Sequence, residues 1–433
     1  MTTQTSTQPW WKEPTKQQWI SFGSAWFGWV LDSFDFCIYL FVAAAIAKEF
    51  DASPLVVHGS VTLTLLMRLL GGVAAGWASD KWGRKLPFLL SMLWFAIFDG
   101  LVALAPSLGT IILCRTLFGF GMGAEWSSGT TLAMENWPER SRRIASGVLQ
   151  GSWAIGYCLA ALADWLVTPV WGWRALFVMA AVPAIVVLPM RYWVPESQEW
   201  LAHKAAGTTA KLRDLLQPTL LKNVFWSSLT AGFGFCVYYA LIVYHPVMLQ
   251  VEFKMTPRDV FILTLLFNIG FFVGSVVCGA AAKRYSVTAA IVVPALLGIP
   301  VLWLFVGKIA SLLTLGAFLA GAISVGWSGT TPALLTGLYP ARIRALCAGI
   351  TYQAGAFCAA LIPVIIGVLH ERGMSFANSI LWVAGICEAG LVIMLVLRRP
   401  EKLQEQNAQA DAKQLAATSE SELPKAIKLQ AES

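Results

Sequence analysis

A chain of 433 residues that is 57% hydrophobic and 13% charged, with a mean hydropathy of +0.65, departs from soluble globular usage, in which roughly a quarter of residues are charged. This composition belongs in a bilayer and argues against a soluble enzyme, a nucleic-acid binder or a secreted disulfide scaffold. The formal charge of +7 falls mostly on short loops between apolar runs, where it sets orientation rather than recruiting a polyanion.

Residues 1–18 are polar and lack the apolar stretch of a secretory signal, so the first span is expected to insert the protein itself. Apolar runs bounded by charges, Pro or Gly then follow near 20–46, 56–78, 87–105, 108–134, 144–167 and 174–193. After a polar linker at 195–221 come 222–250, 259–281, 287–306, 309–338, 344–369 and 376–397. Each run matches the roughly 20 residues that a spanning helix needs. The expected fold is therefore an all-α membrane protein of twelve spans. Its expected divisions are an N-terminal segment (1–18), a first six-helix bundle (19–194), the linker (195–221), a second six-helix bundle (222–398) and a polar tail (399–433) that is flexible or weakly helical and apart from the core. With the N-terminus in the cytoplasm, 23 of the 31 Lys and Arg residues face the cytoplasm, 6 lie outside and 2 lie within spans. The positive-inside rule selects that orientation in a plasma (inner) membrane, with both termini cytoplasmic.

All eight cysteines fall in apolar stretches without metal-ligand spacing. They read as core residues, and no metal or cofactor beyond a coupling proton is expected. Internal duplication supports the two halves independently of hydropathy. Ser128-Gly129-Thr130-Thr131 recurs 200 residues on as Ser328-Gly329-Thr330-Thr331. Both copies are followed by P-x-R-x-R-x-x-x-x-G, namely Pro138, Arg140, Arg142 and Gly147, then Pro340, Arg342, Arg344 and Gly349. Parallel repeats of six spans suit a transporter that rocks two halves about a midplane site.

The loop after the second span reads Gly76-Trp-Ala-Ser-Asp80-Lys81-Trp-Gly83-Arg84-Lys85. It matches G-x-x-x-D-[RK]-x-G-[RK]-[RK] and resembles the signature of the major facilitator superfamily. Gly76 suits close helix approach, Gly83 a tight reversal, and Asp80 the N-terminal end of a neighbouring helix, whose dipole favours an anion. Arg84 and Lys85 anchor the loop. Glu135 to Arg142 and Pro195-Glu196-Ser197-Gln-Glu-Trp-Leu resemble the same superfamily's charge network, which implies gating roles for Glu135, Arg142 and Glu196. The alternative is ordinary loop charge. The run Trp26 to Asp35, Arg68-Leu-Leu-Gly71-Gly72, Arg115 to Trp126, and Trp171-Gly172-Trp173-Arg174 are similar to the sialate/lactate-type proton symporters, with Ser33 and Gln353 as departures. That resemblance implies proton-coupled uptake of a small organic anion, a monocarboxylate or sialic acid. Other transport readings are an aromatic-acid or sugar-acid importer and a proton/drug antiporter, the last disfavoured because 147–156 lacks the Gly-Pro pair of antiporters.

Charged residues in hydrocarbon cost at least ~2.5–3.5 kcal/mol on insertion scales and mark function by default. Asp32 and Asp35, spaced i, i+3, share a face of the first span. With Glu125 they are the proton-coupling candidates, Glu125 being equally open to a role as an inter-helix partner. Arg68 and Arg115 are candidate carboxylate binders, each also able to neutralise Asp32 or Asp35. Tyr238, Tyr239, Asn268, Tyr352 and Gln353 are candidate substrate-lining groups. His245, before Pro246, reads as hydrogen-bonded structure more readily than as a titrating site. The expected partners are the anion and the lipid bilayer, with no nucleic acid and a monomeric state.

Overall fold

A computed structural model of the chain describes residues 9–207, 212–307 and 309–413, and among the described residues every regular element is helical. In lipid a helix satisfies its own backbone groups, which is why apolar runs of this length adopt it. The first half contains α1 (Lys16–Glu49), α2 (Pro54–Trp82), α3 (Lys85–Ala103), α4 (Leu108–Glu125), α5 (Thr131–Asn136), α6 (Arg142–Trp171) and α7 (Arg174–Tyr192). A short α8 (Gln198–Ala205) follows. The second half contains α9 (Pro218–Val251), α10 (Pro257–Arg284), α11 (Val287–Phe305), α12 (Ala310–Leu319), α13 (Thr331–Gly337), α14 (Arg344–Ala359), α15 (Ile362–Glu371) and α16 (Phe376–Arg398). Helix starts carry local signals. Thr15 and Gln18 form a reciprocal capping box, and Ser107, Ser197, Thr256, Ser286 and Ser375 each accept the backbone N–H three residues on. Each such cap contributes about 1 kcal/mol.

Ten helical segments among the described residues are long and apolar enough to cross a membrane. The expected spans at 108–134 and 174–193 are helical as well, through α4 with α5 and through α7. Three spans are not continuous α-helices. A π-helical turn, Trp126–Thr130, joins α4 to α5, and a π turn (Ala320–Val325) plus a 3-10 turn (Gly326–Thr330) joins α12 to α13. Both copies of the Ser-Gly-Thr-Thr repeat thus fall where the α-helix is interrupted, a local form common at functional sites. The third break, between α14 and α15, precedes Pro363, whose ring cannot continue a helix from the preceding turn.

The halves meet chiefly where α2 packs on α14 and α6 on α10. These contacts bring backbone against backbone. A Cβ on Gly76 would sit 2.7 Å from Leu346 Cα, and one on Gly279 would sit 2.6 Å from the Arg143 carbonyl and 3.2 Å from Gly147 Cα. Small residues that permit such approach are the usual device of helix packing in lipid.

One face gathers the start of α1, the α2–α3 loop, residues 135–142, α8 and residues 339–344. Trp19 and Phe22 pack on Trp137, and Asn136 donates to Ser21. The tail corrects the expectation that it stands apart from the core. Residues 400–413 are helical and lie on this face. Glu401 caps α11 through Thr288, Asn407 donates to the Leu338 carbonyl (2.6 Å), and Asp411 accepts from Ala341 N (2.9 Å). Short polar side chains here satisfy helix ends that would otherwise need water. The expected tail beyond 413 lies outside the described residues.

Adding one methyl at the α6–α10 crossing is expected to cost about 1–3 kcal/mol through overpacking. Gly279→Ala should therefore lower the melting temperature of the purified protein. Gly385→Ala, whose new Cβ meets no atom within 4 Å, should leave it unchanged or raise it.

Candidate functional site

A small cavity lies between the halves near the two helix interruptions. Its walls come from α2 (Arg68), α6 (Gln150, Trp153), α9 (Phe235, Tyr238, Tyr239), α10 (Phe271), the second interruption (Trp327, Ser328, Thr331) and α14 (Tyr352). The first interruption acts through Trp126, whose ring stacks on Tyr352 at 3.7 Å and 16°. Trp153 donates its indole N–H to the Tyr238 hydroxyl at 2.8 Å, a second link between the halves. The cavity volume is about 60 Å³, well under the ~300 Å³ of a small-ligand pocket. A substrate therefore fits only after the halves move.

Among the described residues Arg68 is the one charged side chain on that wall. It is 2% exposed, and no carboxylate approaches it within 4.0 Å among the described residues. Its Nε has no hydrogen-bond partner, and its guanidinium lies 5.7 Å from the Trp153 ring centre and 5.8 Å from that of Tyr352. Aromatic faces stabilise such a cation by about 0.5–2 kcal/mol without replacing an anion. Gly123 on α4 makes this placement possible, because any side chain there would meet the Arg68 carbonyl.

Asp32 is fully buried and neither carboxylate oxygen has a hydrogen-bond donor. Arg68 is the strongest of the cations acting on it, ahead of Arg191 and Arg115. Arg115 is placed differently from the expectation that it holds an α1 carboxylate or the substrate. Its Nη1 binds Asp99 of α3 at 2.5 Å, its Nη2 donates to the backbone carbonyl of Asp35 at 3.1 Å, and it is away from the cavity wall. Phe118 and Tyr39 cover its faces at 4.0 and 4.8 Å. Sequence reasoning missed Asp99, although a lone aspartate in the apolar run FAIFDGLVA carries the same warning as Asp32.

Glu125 forms a bidentate ion pair with Arg191 of α7 and accepts from Ser91 of α3 at 2.7 Å. Of the two readings left open for Glu125, the structure places it as an inter-helix partner. Arg191, at the end of the 174–193 run and tallied with the cytoplasmic charges, is fully buried, which corrects that reading: its guanidinium turns inward onto Glu125. Tyr238, Tyr239 and Tyr352 reach the cavity. Asn268 and Gln353 do not line it. The Asn268 amide donates to Thr264 O within its own helix at 2.9 Å, and Gln353 donates to Gly123 O at 3.4 Å. Gln150, Phe235, Phe271 and Trp327 were not singled out in sequence, since nothing distinguishes a wall aromatic from a core one. His245 donates Nε2 to Phe305 O at 3.2 Å and stacks on that ring, a structural placement.

The gating candidates form a charge lock across the halves on the face that holds the described tail. Asp80 accepts from Ala345 N (3.2 Å) and Leu346 N (2.8 Å) at the start of α14, and binds Arg84 at 2.9 Å. Arg84 also binds Glu135 at 3.2 Å and donates to Ala341 O at 2.8 Å. Arg344 returns to Glu135 at 3.0 Å and to Glu199, and Arg142 reaches Glu199 at 3.7 Å. Gly83 takes φ +110°, a turn geometry that favours glycine. Glu196 caps α3 by accepting from Arg84 N and Lys85 N, and Lys85 holds Tyr192 O. Burial pushes the Glu135 carboxyl up, but Arg84 and Arg344 outweigh it and hold it below the usual carboxylate range.

Comparison with known proteins bears on the whole chain. The sequence profile of the Major Facilitator Superfamily matches residues 25–363. A probable 4-methylmuconolactone transporter of Cupriavidus pinatubonensis is 27% identical over 94% of this chain and 97% of its own length. The sialic acid transporter NanX of Escherichia coli is 26% identical over 89% and 95%. The proton:xylose symporter XylE, solved with 6-bromo-6-deoxy-D-glucose, superposes with a TM-score of 0.74 at 16% identity, covering 88% of this chain and 95% of its own. That likeness establishes the fold.

Two outcomes follow. Removing one member of a buried pair costs about 3–5 kcal/mol because the other charge is stranded. Glu125→Gln should lower the melting temperature strongly, and Glu125→Gln with Arg191→Met should recover most of the loss. The lock depends on ionised Glu135, so its contribution is present above the ordinary Glu value of about 4.3 and is lost only as pH falls through the depressed folded value. In a background without native cysteines, alkylation of Thr331→Cys, measured against a free thiol, should stay constant from about pH 6 to 8. Adding Glu135→Gln should raise it severalfold.

Proposed function

The chain belongs to the major facilitator superfamily, so it is a membrane transporter and not an enzyme, and from that premise we propose that it takes up a small organic carboxylate together with protons. The reading has it in the inner membrane with both termini cytoplasmic, the face with the described tail being the inner one. The observation that carries it is Arg68, a buried guanidinium on a cavity wall with no carboxylate within 4.0 Å among the described residues. A planar fork of this kind binds a carboxylate through two charge-assisted hydrogen bonds.

The other walls favour a flat, unsaturated or aromatic acid over a polyhydroxylated one. Trp153, Phe235, Tyr238, Phe271, Trp327 and Tyr352 offer ring faces, whereas Gln150, Ser328 and Thr331 offer few polar groups. A sugar acid needs a partner for most of its hydroxyls, since each one buried unmet costs about 1–3 kcal/mol. The relatives' substrates, a muconolactone and sialic acid by their names, support the wider class of small organic acids.

Coupling rests on Asp32 and Asp35. Ionised, Asp32 competes with the substrate for the field of Arg68. Once protonated it is neutral, and Arg68 turns to the incoming carboxylate. Proton and anion then cross together in the occluded form. The Asp80–α14 contact and the Glu135 network hold the inner side closed while the outer side loads. They break when the halves rock.

Uptake into proteoliposomes tests this with labelled dihydroxybenzoate, lactate, pyruvate and sialic acid, with protein-free liposomes as background. An inward proton gradient should drive accumulation, greatest for dihydroxybenzoate. Equal uptake with and without the gradient would refute coupling, and preference for sialic acid would refute the aromatic assignment. Arg68→Lys should weaken uptake affinity by about tenfold, the loss of a charge-assisted hydrogen bond of ~1.5 kcal/mol.

A further inference from the structure

Asp99 takes no part in the coupling scheme above, yet its surroundings are unlike those of an ordinary ion-pair partner. It is fully buried on α3, with one oxygen, Oδ1, on Arg115 at 2.5 Å and the other, Oδ2, without a donor. Asp35, on α1, is also buried, and its Oδ1 has no donor. The two carboxyls lie close enough to act on each other. Arg115 joins them, binding the carboxylate of one and the backbone carbonyl of the other.

Around this pair the ionisable groups are Asp32, Cys37 and Tyr39 from α1 and Cys114 and Arg115 from α4. From α7 the nearest described contact to Arg115 is the Phe177 ring at 5.8 Å. Tyr39 shares a hydrogen bond with Ser60 at 2.6 Å and sets its ring, rather than its hydroxyl, against Arg115. Arg115 is thus the cation in contact with the pair. Two carboxylates this close in low dielectric cannot both ionise readily, and one proton held by the pair relieves the repulsion and gives it a donor.

We propose that Asp35 and Asp99 form a single proton-binding site in which the two carboxyls share one proton beside Arg115. The pair with its proton carries one negative charge, which Arg115 cancels. Loading moves a proton from hydronium to a carboxylate oxygen, breaking one O–H bond in hydronium, which leaves as water, and forming one on the carboxyl. Release returns that proton to water on the opposite side, and no other bond changes. The same count applies to the first half away from the lock of Asp80, Arg84 and Glu135. There Asp32, Asp35, Asp99 and Glu125 stand against Arg68, Arg115 and Arg191, and one bound proton closes the difference. The site's part in transport rests on the proposed proton coupling. Its existence does not.

The test separates these by needing no substrate. Purified protein in lipid nanodiscs is examined by infrared difference spectroscopy between acid and alkaline pH, where a protonated carboxyl gives a C=O band that shifts in heavy water. Asp35→Asn and Asp99→Asn should each abolish the same band, because neither carboxyl holds the proton alone. A band of unchanged intensity and position in Asp99→Asn overturns the shared site and leaves Asp99 as a counter-ion of Arg115. Asp99→Glu keeps a carboxyl and should keep the band at a shifted position, and an unshifted band there also overturns the proposal. In proteoliposomes, Asp99→Asn should lose gradient-driven accumulation of labelled dihydroxybenzoate while retaining exchange of internal for external dihydroxybenzoate. Intact gradient-driven accumulation counts against the site, whereas a wild-type protein that ignores the gradient but shows the band refutes only the coupling.

Discussion

A guanidinium held in a low-dielectric interior needs an anion nearby, because desolvation costs several kcal/mol that packing does not return. In the first half of this protein that rule is met three times within contact distance, by Arg84 with Asp80 and Glu135, by Arg115 with Asp99 and by Arg191 with Glu125. Arg68 is left facing the central cavity, with the Trp153 and Tyr352 rings near its guanidinium and, among the described residues, no carboxylate within 4.0 Å. The fold is arranged around that imbalance. Close α2–α4 packing at Gly123 fixes Arg68, and the carboxyls of its own half outnumber the arginines away from the lock, so an external anion there calls for bound protons.

The same helices carry both the lock and the cavity, so a change at one is felt at the other. Arg68 and Asp80 lie on α2 twelve residues apart, roughly 18 Å along the axis. On α14, the amides that Asp80 receives begin the helix, and Tyr352 stacks against Trp126 two turns later. On α6, Ser146 donates to Gly329 O at 2.7 Å, and Gln150 and Trp153 reach the cavity from the following turns. Stiff elements with contacts at both ends convert filling of the cavity into force on the lock. The small present volume of the cavity accords with a closed arrangement rather than a loading one.

Much of this was legible in the sequence, for physical reasons that differ by feature. Helix number and class follow from apolar run length, since lipid tolerates few alternatives. The Asp80 contact with a helix N-terminus could be anticipated because Gly83 and the basic pair define the loop and a carboxylate there has an obvious complement. The Ser-Gly-Thr-Thr repeat marked the pseudo-equivalent places, but not that both would leave the α-helical path. Pairing among buried charges was not legible. Arg115 was matched to Asp32 or Asp35, and its actual choice of Asp99 depends on how α3 and α4 cross. Arg191 looked like a loop charge because it sits at a span's end, and Asn268 looked like a lining group because a polar residue on an apolar helix can as readily bond its own backbone.

The claim on which the reading depends is that Arg68 receives the substrate's negative charge. Equilibrium binding of dihydroxybenzoate and of its neutral amide to the purified protein, measured by titration calorimetry, addresses it most directly. The carboxylate should bind and the amide should not, and Arg68→Gln should remove the difference between them. Equal binding of acid and amide, or a preference that survives Arg68→Gln, would contradict it.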